Sequence, residues 1–91
     1  MRQASRKVPD GKMVQVKLEV RKEEVVGAEI RGDFFLEPPE KLSELEESLV
    51  GLKENEEKEK IVQKLDGVEA QLIGFSREDI AEAFRKAAGE K

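Results

Sequence analysis

The sequence predicts an α+β domain in which a three-stranded antiparallel meander is covered on one face by about three helices. Residues 12–20 alternate between apolar and polar side chains, which is typical of a strand with one buried face. From residue 39 onward, apolar residues recur at the three-to-four spacing of amphipathic helices. Because all the predicted strands precede all the predicted helices, we expect a two-layer sandwich rather than the βαβ units of a parallel sheet.

The prediction of the meander depends on one strand with a clear pattern and two strands with weaker patterns. In the central segment "KMVQVKLEV", one side carries four apolar residues: Val14, Val16, Leu18 and Val20. The preceding residues 9–11, Pro-Asp-Gly, favour a tight turn, which places a first strand around residues 3–8. The polar "RKEE" predicts a second turn. The segment "VVGAEIR" then predicts a third strand, with three apolar residues on a single face: Val26, Ala28 and Ile30. The three predicted strands together occupy about residues 3–31.

Helices are predicted over about residues 39–88. Pro38 and Pro39 fit the entry to the first helix, where a missing N–H costs nothing. Its apolar stripe ends near Gly51 and consists of Leu42, Leu45 and Leu49. The second helix has a core-facing edge made of Ile61, Val62 and Leu65.

The third helix has the clearest boundaries. Ser76 and Asp79 are close to the spacing of a capping box, in which each residue bonds the backbone of the other. Gly89 is a typical stop. The predicted inner face between them consists of Ile80, Ala83, Phe84 and Ala87.

Two connecting segments have alternative interpretations. Residues 53–60, "KENEEKEK", are either an acidic docking surface or a solvated loop leading into the second helix, with i,i+4 ion pairs such as Glu54–Lys58. In residues 66–75, "DGVEAQLIGF", the apolar spacing continues a helix, whereas the two glycines favour a break or a short extended piece. We expect the break.

Composition excludes several classes of function. The 91 residues allow one small domain, residues 1–91, and they include no Cys and no His. No disulfide framework, thiolate metal site, glycine-rich phosphate loop or nucleophile elbow is present, so we assign no catalytic residue and no metal ligand.

Residues 1–32 carry eight Lys/Arg against five Asp/Glu, and residues 33–91 carry nine against sixteen. These mixed charges do not predict a nucleic-acid surface. Without an apolar run near the ~20 residues of a membrane span, we expect a soluble, cytoplasmic protein without membrane contact.

The segment "GDFFLEPPE" contains the candidate site. It places half of the aromatic residues side by side, at the point where a strand gives way to a helix. Asp33 is either a general base beside apolar rings or, as we favour, a structural residue that bonds nearby N–H groups or caps the start of the following helix. Phe34 and Phe35 either both enter the core or point to opposite sides, as neighbours on an extended chain do. In the second case one ring is available to a partner, and we take Gly32, Asp33, Phe34 and Phe35 as candidate partner-binding residues.

The same residues carry a family resemblance. The run "VPDGKMVQVKLEVRKEEVVGAEIRGDFFLEPPEKLSELEESLVGL", with the later "GFSREDIAEAFRKAAG", resembles the small C-terminal, or accessory, domain of lipoate–protein ligases over about residues 6–88. The resemblance rests mainly on Gly-Asp-Phe-Phe after a strand and before Pro-Glu. It implies a fold similar to the SufE and NifU-type scaffold proteins, whose cluster chemistry is excluded here because the chain has no Cys.

The resemblance also implies a function. In many bacterial ligases this domain follows a large catalytic domain that carries a glycine-rich lipoate-binding motif and a Lys for the adenylate, neither of which is present here. The chain is therefore similar to a free-standing small subunit, as in archaea that divide the ligase between two chains. The implied partner is the catalytic chain, in a heterodimer.

In that complex the catalytic chain would bind lipoate and ATP, which this chain is not expected to bind alone. The accessory chain would be required for making lipoyl-AMP, so that it would belong to an ATP-dependent ligase without supplying catalytic residues. The lipoyl group would then pass to a Lys of a carrier protein, an indirect partner. The alternative is an interaction or adaptor module of the same fold without a ligase role.

Overall fold

The fold combines a three-stranded sheet, a small second sheet and three helices. In this computed structural model, residues 2–8 and 12–89 are described. The strands β1 (Arg2–Lys7), β2 (Met13–Arg21) and β3 (Glu24–Gly32) form an antiparallel sheet in the order β1-β2-β3. The remaining elements, in chain order, are β4 (Phe35–Glu37), α1 (Lys41–Ser48), α2 (Lys58–Asp66), β5 (Gln71–Ile73) and α3 (Arg77–Ala88).

The predicted α+β meander with three helices is therefore confirmed. The turn predicted at residues 9–11 lies outside the described residues. The second sheet, an antiparallel pair of β4 and β5, was not predicted.

The core lies between one face of the meander and the helices. On β2, Val14, Val16 and Leu18 are fully buried, as their alternation predicts. Helix α3 packs on β1 and β2, α1 packs on β3, and α2 packs mainly on α3. The layers meet at the α3 residues Ile80, Ala83, Phe84 and Ala87, all fully buried.

One prediction on β3 is wrong. Val26 was expected on the core face, but it is 41% exposed, and Val25 is fully buried instead. A register irregularity between Glu19 and Val20 pairs Glu19 with Gly27 and Val20 with Val25, so Val26 has no partner on β2. Because a bulge reverses the inward and outward alternation beyond it, the start of β3 presents the opposite set of side chains to the core.

The free edge of β3 is partly covered by other parts of the chain. The carboxylate of Glu46, on α1, accepts a hydrogen bond from the Ile30 N–H at 2.8 Å. Nearer the start of β3, the Val25 N–H donates to the Leu52 carbonyl at 2.8 Å, and Lys53 forms a bridge with the strand. These contacts satisfy outward-facing backbone groups that would otherwise offer a template for strand pairing.

Helix α1 follows a turn that contains both prolines. The Lys41 N–H bonds the Pro38 carbonyl at 3.0 Å, and the Leu42 N–H bonds the Pro39 carbonyl at 3.2 Å. The Glu37–Pro38 peptide bond is cis. The prolines thus precede the first helical turn, in agreement with the predicted helix entry.

Residues 52–57 are not helical, so the predicted Glu54–Lys58 pair is wrong. Helix α2 begins only at Lys58. Glu54 instead pairs with Arg2 of β1 at 2.6 Å, and Lys58 pairs with Glu82 of α3 at 3.3 Å. Both pairs link elements that are far apart in the sequence, so local helical spacing does not predict them.

The break predicted between the second and third helices is confirmed, and the extended alternative is present as well. Helix α2 ends at Asp66, and residues 71–73 form β5. The Arg77 guanidinium holds this connection, because it donates to three carbonyl oxygens between 2.7 and 3.2 Å away, those of Leu65, Val68 and Ala70. The position of β5 therefore depends on an anchor at the start of α3.

The capping box at the start of α3 is confirmed. The Asp79 N–H donates to the Ser76 hydroxyl at 3.2 Å, and the Ser76 N–H donates to the Asp79 carboxylate at 2.9 Å. Asp79 is only 7% exposed, and its carboxylate also accepts a bond from the Arg6 guanidinium of β1 at 2.8 Å. The cap thus also ties α3 to the edge strand of the sheet.

Candidate functional site

The corner between β3 and β4 requires glycine. Gly32 has a φ of +155°, a conformation that side chains rarely adopt. A Cβ there would collide with the Met13 carbonyl oxygen and would lie 2.9 Å from ring carbons of Phe34. That same carbonyl accepts the Asp33 N–H at 3.1 Å, so it is held in place. Because Gly32 has no side chain, its backbone can lie directly against Met13 of β2 where the chain leaves the sheet.

Phe34 turns inward at this corner. Its ring stacks on that of Phe75, with centroids 4.1 Å apart and an interplanar angle of 26°. Phe75 is buried and immediately precedes the cap of α3. The stack joins the end of the meander to the start of the last helix.

Phe35 turns outward, so the interpretation that buries both rings is wrong. It exposes 69% of its surface. In the small sheet it lies directly opposite Ile73, which is 43% exposed, whereas the next pair, Leu36 and Leu72, faces the protein interior. Because neighbouring side chains of an extended segment point to opposite sides, Phe34 packs inside while Phe35 faces solvent.

A groove lies beside the exposed ring. It has a volume of about 320 Å³ and runs from the end of β3 to the first turn of α1. Its apolar lining consists of Ile30, Phe34, Phe35, Leu36, Pro39 and Leu42. Phe35, Ile73 and this groove together form the outward apolar surface that we call the β4 surface.

Two cations border the β4 surface. Arg31 lines the groove and pairs with Glu29 of its own strand, at 3.0 Å, in an exposed pair. Lys12 extends along Gly74, the residue after Ile73, where an added Cβ would lie 2.8 Å from its side chain. An apolar centre with a charged rim is the usual composition of a protein–protein interface.

Asp33 does not have the structural role that we favoured. Its carboxylate is exposed and has no hydrogen-bond partner within the described part of the chain. The N-cap position of α1 is Glu40, which makes no side-chain cap bond. Only the backbone N–H of Asp33 participates in the corner.

Gly32, Phe34 and Phe35 lie at or beside this groove, and the structure adds residues that the sequence did not indicate. Ile73 was missed because it lies in the segment expected to be a break. Its position depends on the pairing of β5 with β4, two three-residue strands about 35 positions apart. Pro39 and Leu42 were assigned only to the helix entry and the helix core.

Two features are absent from the described residues, 2–8 and 12–89. No group of three or more His, Cys, Asp or Glu side chains there is arranged to hold a metal ion. No helix there has the length and hydrophobicity needed to cross a bilayer.

Comparison with known proteins agrees with the resemblance of the sequence. A structural match with a TM-score of 0.74 and 23% identity covers 91% of this chain and 92% of the matched one. The matched chain comes from a structure of an archaeal lipoylation system, a bipartite lipoate protein ligase and its E2 lipoyl domain from Thermoplasma acidophilum. Comparison with curated proteins gives no significant match. The family model described as bacterial lipoate protein ligase C-terminus matches residues 1–84, and the chain therefore belongs to that family.

Proposed function

We propose that this protein is the accessory subunit of a lipoate–protein ligase, and that it binds the catalytic chain through the β4 surface. Family membership supports a role in protein lipoylation. The similarity to a chain of a bipartite ligase system supports a separate catalytic partner. In this proposal that partner binds lipoate and ATP. In this proposal the accessory chain is required for activating lipoate to lipoyl-AMP and supplies no catalytic group.

The single observation that carries the proposed surface is the exposure of Phe35. Leaving a large aromatic ring 69% exposed forfeits the stabilisation that burial would give. The ring also has an apolar neighbour across the strand pair and a groove beside it, so a partner side chain could pack on both. Aromatic residues at the centre of an interface contribute a disproportionate share of the binding free energy.

A mechanism without catalytic residues is available to such a subunit. An acyl-adenylate is hydrolysable, and a module that closes over the catalytic chain excludes water and orders its loops. The rigid corner at Gly32, held by the Met13 carbonyl and the aromatic stack, suits this role because it would present Phe35 in a fixed orientation. Preorganisation of this kind lowers the entropic cost of association.

The accessory role is tested by reconstitution. The purified catalytic chain is incubated with lipoate and ATP, with and without this protein, and pyrophosphate release is followed. We expect lipoyl-AMP to form efficiently only when both chains are present. Equal formation by the catalytic chain alone would contradict the accessory role and would favour the adaptor alternative.

The surface is tested separately by substitution. Phe35→Ala should weaken binding of the catalytic chain at least about tenfold, as measured by calorimetry, because it removes the central aromatic contact. The matched control is Val50→Ala, which truncates another exposed apolar residue, 46% exposed, next to the contacts with the opposite end of β3. It should change the affinity less than about twofold. A folded Phe35→Ala variant with unchanged affinity would exclude the β4 surface while leaving the accessory role to the reconstitution test.

A further inference from the structure

The two edges of the three-stranded sheet differ. Across β1 and β2, the Val8 N–H bonds the Lys12 carbonyl at 2.8 Å, which sets the alternation of the ladder. Even-numbered β1 residues therefore bond β2, whereas the N–H and C=O groups of Ser5 and Lys7 point away from it. The Lys86 ammonium, 3.2 Å from the Ser5 carbonyl, confirms this direction.

The β1 edge is contacted by one exposed side chain, whereas the β3 edge is partly covered by α1 and by the segment that follows it. On β3, the outward N–H of Ile30 bonds Glu46, and the start of the strand bonds residues 51–53. On β1, within the described part of the chain, Lys86 is the only partner of the outward groups of Ser5 and Lys7, and it is an exposed side chain. An incoming N–H could replace this single bond without disturbing the core.

A groove runs along the β1 edge. It has a volume of about 460 Å³, lies between β1 and the last turn of α3, and is lined by Gln3, Ala4, Ser5, Arg85, Lys86 and Gly89. An exposed edge beside a groove offers main-chain bonds together with room for alternate side chains, which is how extended peptides add to a sheet.

The positive charge along the β1 edge indicates which kind of segment could bind there. Lys7 and Arg85 have no side-chain hydrogen bond or ion pair with any described residue, and Lys86 bonds only a backbone carbonyl. By contrast, the inward-facing Arg2 and Arg6 are paired with Glu54 and with Asp79 and Glu82. Three cations, none with a carboxylate partner among the described residues, therefore line the edge of a protein whose net charge is −4.

We propose that the β1 edge binds an extended acidic segment of a partner protein, which adds as a fourth strand beside Ser5 and Lys7. Carboxylates on one side of that segment would pair with Arg85 and Lys86 in the groove. A second copy of this chain is a poor occupant, because pairing two β1 edges would bring both sets of three cations together. The proposal is independent of the β4 surface.

The test uses the whole protein and a blocked heptapeptide that alternates threonine and glutamate. We expect binding by fluorescence anisotropy, weakened by salt because the contacts are exposed ion pairs. Hydrogen exchange of the Ser5 and Lys7 amides should slow at least about tenfold in the complex, since these N–H groups become bonded. A peptide with lysine in place of glutamate, and one with its bonding amides N-methylated, should each bind at least about tenfold more weakly.

Substitutions separate the edge from general electrostatics. Arg85→Gln with Lys86→Gln should weaken binding about tenfold. The matched control, Lys60→Gln with Lys64→Gln, removes two exposed cations of α2 and should change the affinity less than about twofold. The proposal is overturned if the glutamate peptide does not bind, if either control peptide binds equally well, or if the Ser5 and Lys7 amides stay unprotected. Self-association through these same amides would overturn it in favour of a second copy.

Discussion

The ring of Phe34 stacks on that of Phe75, and this contact connects the end of the meander to the start of the last helix. Because Phe34 is committed to the interior, the alternation of the chain directs Phe35 to solvent. The exposed ring of the β4 surface is thus a consequence of how its neighbour is packed. Substitution of Phe34 should therefore affect stability far more than substitution of Phe35.

Phe34→Ala should lower the free energy of unfolding by about 2–3 kcal/mol, somewhat less than a fully buried Phe, because the ring is partly buried. Phe35→Ala should change it by less than about 0.5 kcal/mol, since the ring is mainly in water. Urea unfolding of the two variants measures both values. Equal destabilisation would contradict the outward position of Phe35.

Gly32→Ala should lower the free energy of unfolding by about 2–3 kcal/mol, through the strain of a positive φ and the collision with the Met13 carbonyl. The matched control is Gly27→Ala in the same strand, where an added Cβ lies 3.6 Å from the Glu19 side chain, an ordinary contact. It should stay within about 0.5 kcal/mol of the wild type. Comparable losses in both variants would show that the corner has no special need for glycine.

The capping carboxylate Asp79 should make stability depend on pH. Its burial favours the neutral acid, but hydrogen bonds from Arg6 and Ser76 outweigh this and hold the pKa of Asp79 below its ordinary value of 3.8. A lowered folded-state pKa gives stability that is fully present above 3.8 and is lost as the pH falls through the folded value.

Asp79→Asn should cost about 1–2 kcal/mol at neutral pH, because the charged cap is lost. The difference in unfolding free energy between wild type and this variant should shrink below the ordinary Asp pKa of 3.8. Urea unfolding at a series of pH values measures that difference. A constant difference down to the lowest pH would contradict the lowered pKa of Asp79.

Glu46→Ala should lower the free energy of unfolding by about 1–2 kcal/mol, because it leaves the Ile30 N–H without its acceptor. Amide exchange at Ile30 should accelerate in the same variant. Glu47→Ala, an exposed neighbour on α1, serves as the control and should have little effect on either quantity. Unchanged exchange at Ile30 would show that the strand edge is protected in another way.

Local patterning was sufficient for the three strands of the meander, the helices and the α3 cap. The alternation in β2 and the spacing of Ser76 and Asp79 depend on side chains a few positions apart, and the structure agrees with both. The same patterning misplaced Val26, because a bulge depends on the register of two strands. It also missed the pairing of Glu54 with Arg2, a contact 52 positions apart in the chain.

The candidate site shows the same division. Gly-Asp-Phe-Phe marked the corner from the sequence, because such a cluster is unusual in a chain with only four aromatic residues. Which of its rings enters the core was settled by Phe75 and by the pairing of β4 with β5, whose partners are about 40 positions away. Short-range periodicity encodes a face for each element, whereas only the assembled layers decide which faces meet and which remain in water.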